Sequence, residues 1–255
     1  MAALTNLSST VDPDPGPAAP AFIPLECNPE LMTDLIHQLG ASQKLEIQQI
    51  WSLEPSEMEF YARPAHALML VFPVTATYET ARMAEDTKTE YSGKGPQEPV
   101  MWFKQTIKNA CGFMALLHAV ANVPSKDTLL EEGSTLHKII TESVDLGPLE
   151  RARLLENSKE LADAYKVAAS SGDTAAPDAE DQVDLHYVCF VKGSDGQLWE
   201  LDGRRAQPLA RGLIGDQEDM LGENALTLGA KKFLEDGKDN KQLSESFAAV
   251  ALIEP

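Results

Sequence analysis

Cysteine is scarce in this chain: Cys27, Cys111 and Cys189 are the only three in 255 residues. Three scattered thiols cannot build the paired framework of a small secreted fold. They point to a reducing compartment, cytoplasmic with the nucleus also open. Long apolar runs are missing as well. The best of them, Ala67–Val74, falls far short of the ~20 residues needed to span a bilayer. Bases are few, with 21 Lys and Arg against 40 Asp and Glu, for a net charge of −19. That imbalance argues against nucleic acid or a membrane surface as partner, and leaves a basic partner or plain solubility. The N-terminus has no basic stretch followed by an apolar one, and no arginine, so neither a secretory nor a mitochondrial leader is expected. No stretch repeats internally.

What is present suits one globular domain. With 43% hydrophobic residues, the chain can bury a sizeable core. Residues 1–20 are rich in Pro, Ala, Ser and Thr and predict a disordered tail, which leaves 21–255 for the domain. Asn28 and Pro29 open a helix that Gly40 ends, with Leu31, Leu35 and Leu39 as its buried stripe. Strands are predicted at Leu45–Trp51, at Ala65–Thr75, which is apolar almost throughout, and at Phe247–Ile253. Helices are predicted at Tyr78–Asp86, at Ser134–Ser143, from Gly147-Pro148 onward and at Ala230–Glu235. In the helix after Gly147, Leu154, Leu155 and Leu161 form the apolar face, and Glu150, Arg151, Arg153 and Glu156 the solvated one. Arg204–Leu221 reads as loop. Ser170–Asp184 carries five acids and no base, and a loop of that length is either functional or disordered.

The chemistry gathers around Gln105–Asn122. This stretch starts polar and turns almost wholly apolar from Cys111 to Ala121, so a helix over Ala110–Ala121 runs through the core. Asn109 is its expected N-cap. Cys111 then sits in the first turn, where the helix dipole favours a thiolate. Gly112 leaves room beside it, and Gln105 lies upstream where its amide can serve an oxyanion. Taken alone, a cysteine in an apolar helix is more often an inert small hydrophobe. The same holds for His66 and His118, which read as satisfied core histidines, and Cys27 reads as structural.

A second stretch runs from Asp184-Leu-His-Tyr through Gly193-Ser-Asp-Gly196 to Glu200-Leu-Asp202. It reads as a hairpin. With a three-residue loop, Lys192 pairs with Gly196 and His186 stands opposite Asp202, on one face. A slip of one residue would separate them. The histidine could then activate a thiol while the aspartate orients the ring.

Gln105…Asn109-Ala-Cys111-Gly112, Asp184-Leu185-His186 and Glu200-Leu-Asp202-Gly-Arg204, with Phe22-Ile-Pro-Leu-Glu-Cys-Asn-Pro29 ahead of them, resemble the ubiquitin C-terminal hydrolases. These are cysteine peptidases of the papain-like class. The resemblance runs from about Phe22 to the C-terminus; Phe113 departs from the threonine expected in many members. It implies an α/β (α+β) domain, with a mostly antiparallel central sheet flanked by helices and a chain threaded into a knot. It also implies Cys111 as nucleophile, His186 as general acid/base, Asp202 as the group that orients it and Gln105 as oxyanion stabiliser, with no metal or cofactor. Asn109, Gly112, Leu185, Asp184, Leu25 and Glu26 would face the substrate, although Leu25 could equally be core. The implied partner is ubiquitin, whose C-terminal tail carries arginines, bound by a monomer. A crossover loop at Ser170–Asp184 would limit leaving groups to small adducts and short peptides. Three other readings stand beside this one: a ubiquitin-binding module with a silent cysteine, a redox-sensing thiol, which would not explain Gln105 or Asp202, and a hydrolase of a ubiquitin-like modifier.

Overall fold

The computed structural model describes residues 20–86, 91–124, 126–172, 185–236 and 247–255. All but the last residue of the expected tail, and Asp173–Asp184 of the acidic loop, lie outside the described residues.

The sheet forms where the apolar runs are. β1 (Glu46–Ile50), β2 (Ala65–Pro73), β3 (Leu185–Lys192), β4 (Gln197–Leu201), β5 (Leu209–Leu213) and β6 (Ala248–Ile253) lie in the order β1-β6-β2-β3-β4-β5. Every pairing is antiparallel. β2 is central, and its side chains alternate between two buried layers. Ala67, Met69 and Val71 enter one core, while Leu68, Leu70 and Phe72 enter the other. Burial on both faces is why this strand is apolar almost end to end, as its sequence predicts. The architecture is the mixed α/β one expected.

Helices cover both faces. α1 (Pro29–Gln38) begins where Asn28 accepts the Glu30 and Leu31 N–H groups, and ends before Gly40, whose φ of +102° suits glycine. Its buried stripe is Met32, Leu35 and Ile36, continued by Leu39, with Leu31 only half-buried. The expected Leu31–Leu35–Leu39 line is therefore turned by about one residue, because Met32 and Ile36 are as apolar as the leucines. α2 (Ala76–Glu85) is capped by the Thr75 hydroxyl. α3 (Cys111–Ala121) has ten of its eleven residues buried and packs on β3, as an all-apolar helix must. α4 (Lys126–Leu129) is a single turn, and α5 (Thr135–Ser143) is capped by Ser134.

The helix predicted after Gly147 is two helices, α6 (Pro148–Glu156) and α7 (Lys159–Ala169), because Ser158 starts a new one with its side chain on the Leu161 N–H. Arg151, expected on the solvated face, is instead fully buried. Its guanidinium bonds the Ser143 and Trp102 carbonyls and pairs with Glu98. Arg204–Leu221 is not all loop, since β5 lies within it. The helix expected at Ala230–Glu235 starts earlier, as α8 (Glu223–Leu226), and continues through a π-helical turn, Thr227–Lys231, to α9 (Lys232–Asp236).

Candidate active site

Asn109, Ala110 and Cys111 make the turn into α3. Asn109 has φ +58°, a conformation that asparagine tolerates better than most residues. It is not the cap: Ala110 occupies that position and offers no side-chain bond. Cys111 is thus the first helical residue, next to unsatisfied N–H groups of the first turn. Its sulfur hydrogen-bonds His186 and receives the Tyr187 backbone N–H.

The hairpin brings His186 to Asp202 in a register the sequence did not predict. Cys189 pairs with Leu201 and Lys192 with Leu198, and the Gly193 N–H bonds the Gln197 carbonyl at 2.8 Å, so the turn sits one residue later and the whole ladder is offset by two residues from the expected one. A slip of two preserves every face. His186 Nε2 therefore still reaches Asp202 Oδ1, at 2.9 Å, just past the end of the paired ladder. That leaves Nδ1 for the thiol.

Asp202 is held from several sides. Its Oδ1 also accepts the Arg204 N–H at 2.8 Å, Oδ2 accepts the Tyr78 hydroxyl at 3.3 Å, and its backbone carbonyl accepts Trp102 Nε1 at 3.2 Å. Burial acts to raise this carboxyl's pKa. The His186 charge and bond, with the Arg204 N–H and the Arg205 charge, reverse that and hold it low. Burial acts to lower His186, and Asp202 more than offsets it, so the imidazole is pushed up to about 9. Burial likewise opposes a charged Cys111, yet the His186 bond and charge bring the thiol below its ordinary value. The other two thiols go the opposite way. Burial pushes Cys27 up to about 11 and Cys189 further still. Only Cys111 is tuned toward thiolate.

Gln105 is fixed by its backbone N–H on the Gly203 carbonyl at 2.9 Å and by Nε2 on the Ile107 carbonyl at 3.1 Å. An amide nitrogen carries two protons, so one remains for another acceptor. A Cβ on Gly203 would stand 2.8 Å from Gln105 Cβ, so this position must be glycine for Gln105 and Asp202 to close on one another. Gln105, Thr106, Ile107, Lys108, Asn109, Cys111, Leu185, His186, Arg204 and Val74 line a cleft of ≈ 370 Å³.

The family model for ubiquitin carboxyl-terminal hydrolase, family 1, matches residues 22–234. The chain belongs to that family of hydrolases. It is 36% identical over 192 residues to ubiquitin carboxyl-terminal hydrolase 3 of Arabidopsis thaliana, covering 75% of this chain and 79% of the relative. It is 32% identical over 230 residues to the human isozyme L1, covering 90% and 96%. In fold it matches the catalytic domain of Trichinella spiralis UCH37, solved bound to ubiquitin vinyl methyl ester. The TM-score is 0.69 at 22% identity, over 92% of this chain and 95% of that one.

In this hydrolase the structure gathers Gln105, Cys111 and His186 at one cleft, with Asp202 buried behind His186 and with Asn109 and exposed Leu185 on the cleft wall. It places two expected substrate contacts, Leu25 and Gly112, in the core. Leu25 is core: it is 5% exposed, and its Cβ lies 3.0 Å from where a side chain on Gly112 would begin. Gly112 is buried against Leu25 and Tyr187, so its missing side chain serves packing and does not open the cleft. Glu26 lies next to Gly172, where α7 gives way to the acidic loop. Asp184 is outside the described residues. The histidines read as structural are so. His118 is buried, accepts the Phe103 N–H at 3.0 Å and is pushed down by burial to about 4. His66 sits 3.3 Å from Glu254.

Sequence reasoning missed Tyr78, Gly203 and the Arg204 backbone. Arg204 and Gly203 follow Asp202 directly, so their nearness was there to be read. Tyr78 had no such signal, lying 124 residues away.

Proposed function

We propose that this protein hydrolyses bonds to the C-terminal glycine of ubiquitin through a cysteine thiolate. Cys111 sulfur attacks the glycine carbonyl, and the new oxyanion is met by Gln105 Nε2 and the Cys111 backbone N–H. The C–N, C–O or C–S bond to the leaving group breaks as His186 gives it a proton. His186 then takes a proton from water, the hydroxide attacks the thioester, and the C–S bond breaks to release ubiquitin and return the thiol. Asp202 holds the imidazole in place throughout. A cleft of ≈ 370 Å³ suits an extended tail and a small amine, thiol or short peptide as leaving group. A monomer in a reducing, cytoplasmic setting fits three free thiols.

The single observation that carries this reading is that one thiol of three is tuned toward thiolate, by the one histidine bonded to a buried carboxylate. A binding module with a silent cysteine has no need of that arrangement. The test is ubiquitin bearing a C-terminal electrophile, followed by mass spectrometry. An adduct on Cys111, absent in Cys111→Ala and competed by free ubiquitin, is expected. Binding without an adduct would leave a module, and an adduct formed only with a ubiquitin-like probe would name a different substrate.

A further inference from the structure

A groove of ≈ 440 Å³ opens at the outer edge of the sheet, lined by Gln48, Gln49, Trp51, Glu57, Phe60 and Tyr61. β1 is the edge strand, and side chains take up backbone N–H groups in it and just after it. The Ile47 N–H donates to Thr33 Oγ1 at 2.9 Å, and the Trp51 and Ser52 N–H groups donate to the Tyr61 hydroxyl at 2.9 and 3.1 Å. An edge with its N–H groups satisfied by side chains is a poor template for an added strand. What it offers a partner is side chains.

Those side chains are unusual for an exposed surface. Trp51 is 83% and Phe60 76% exposed, and among the described residues they are the aromatic members of the exposed large apolar set. Both line this one groove. Singly exposed apolar residues need no explanation, but two aromatics on one concave surface do. Glu57 lines the groove with them, and Glu46, Glu54 and Glu59, near in sequence, are exposed as well. None of these carboxylates is in an ion pair among the described residues. An open indole face beside a carboxylate recognises a cation carried on an aliphatic stem.

We propose that this groove docks an extended, arginine- or lysine-bearing segment of a partner protein, separately from the hydrolytic cleft. Charge selects that occupant. A second copy of this chain would bring the same carboxylates face to face, and an anionic lipid surface would be repelled. β1 lies three strand spacings from β3, roughly 14 Å, so an occupant here leaves Cys111 free.

The experiment titrates the full ¹⁵N-labelled chain with a capped heptapeptide of alternating leucine and arginine, following the Trp51 indole N–H by NMR. Counterparts carry lysine, citrulline or glutamate in place of arginine. A saturable Trp51 shift is expected with arginine and lysine, with little response to citrulline and none to glutamate. Trp51→Ala and Glu57→Gln should each weaken binding by about fivefold or more, while both keep the wild-type Tm and wild-type hydrolysis of a small ubiquitin ester. Glu57→Gln removes one charge from an exposed side chain, so it reads the proposal even if the tryptophan variant folds poorly. Equal binding of the glutamate peptide, unchanged affinity in Glu57→Gln, a concentration-dependent dimer that shifts Trp51, or a Trp51 shift with phosphatidylcholine vesicles would each overturn it. Because the readout is binding, its failure is distinct from a failure of the hydrolase reading.

Discussion

Asp202 has more to do than meet His186, and Tyr78 shows how its second oxygen is used. Burial and the neighbouring charges of Asp202 and Glu200 drive the Tyr78 phenol far upward, so it stays protonated and can donate. Phe72 and Phe233 pack its ring edge-on or tilted, at 4.8 and 5.7 Å between centroids. Tyr78→Phe keeps that packing and removes one donor. We expect kcat to fall about fivefold, the equivalent of ~1 kcal/mol for one hydrogen bond, with KM and Tm nearly unchanged; a fall in Tm with kcat intact would make Tyr78 purely structural. The pH profile reports the pair itself. With His186 raised to about 9, kcat/KM should hold through neutral pH and decline as pH passes that value and the imidazolium is lost. The linkage has the same sign for folding. A raised histidine gives its full stabilisation below its unfolded pKa of about 6.5, and that stabilisation drains away as pH climbs to about 9. Asp202→Asn should move the alkaline limb downward, since burial then acts on His186 without a counter-charge. An unmoved limb would assign it to another group. The grouping of Cys111, His186 and Asp202 was legible because spacing and residue type point the same way for all three. The hairpin register was not, since Lys192-Gly-Ser-Asp-Gly196 has a glycine at either end of the turn and does not fix which residue closes it. The pairing survived only because the offset was even.

At the scale of elements, apolar continuity announced β2 and α3, and capping chemistry announced α1 and α5. What failed to announce itself was polar and long-range. β5 was hidden because Leu209-Ala-Arg-Gly-Leu213 lacks an apolar run, and Gly212, at φ +135°, breaks its pattern. Arg211 in that strand turns inward to Glu200, which is 1% exposed and also held by Arg205. Those arginines reach on to Glu85 and Asp86, fastening the end of α2 to the sheet behind Asp202. Arg151 was misread for the same reason: its carboxylate partner, Glu98, is 53 residues away in sequence. This arginine joins α5, α6 and the Trp102 segment that leads to Gln105. Arg151→Ala would strand a mostly buried Glu98 and two carbonyls. Breaking such a pair from one side costs about 3–5 kcal/mol, which for a domain of this size lowers Tm by roughly 10 °C. Thermal melts of Arg151→Ala and the double variant Arg151→Met/Glu98→Gln check this, and the double variant should recover much of the loss. A single variant melting within about 2 °C of wild type would show that the network contributes little.

Over the whole molecule, the charge sets a contest between near and far. The net charge is −19, while the described cleft wall carries Lys108 and Arg204 and no carboxylate. Asp181 and Asp184, the acids that the sequence puts nearest this cleft along with Glu26, lie outside the described residues. Arg204 is already paired with Glu79 at 2.6 Å, which mutes its charge. A basic ubiquitin tail approaching from solvent would feel the distant acids first, because a low-salt field reaches tens of ångströms and only shortens to about 10 Å at 0.1 M. If the far field governs encounter, kcat/KM should fall roughly tenfold from low to high salt, with kcat nearly constant because the bound tail is desolvated. If the near cations govern it, the rate should rise with salt instead. The sign of the slope is the measurement, taken by stopped-flow association of ubiquitin with Cys111→Ala so that chemistry does not intervene. A negative slope assigns the acidity a role in capture. A flat or positive one confines it to solubility and removes electrostatic steering from the account of how this hydrolase meets its substrate.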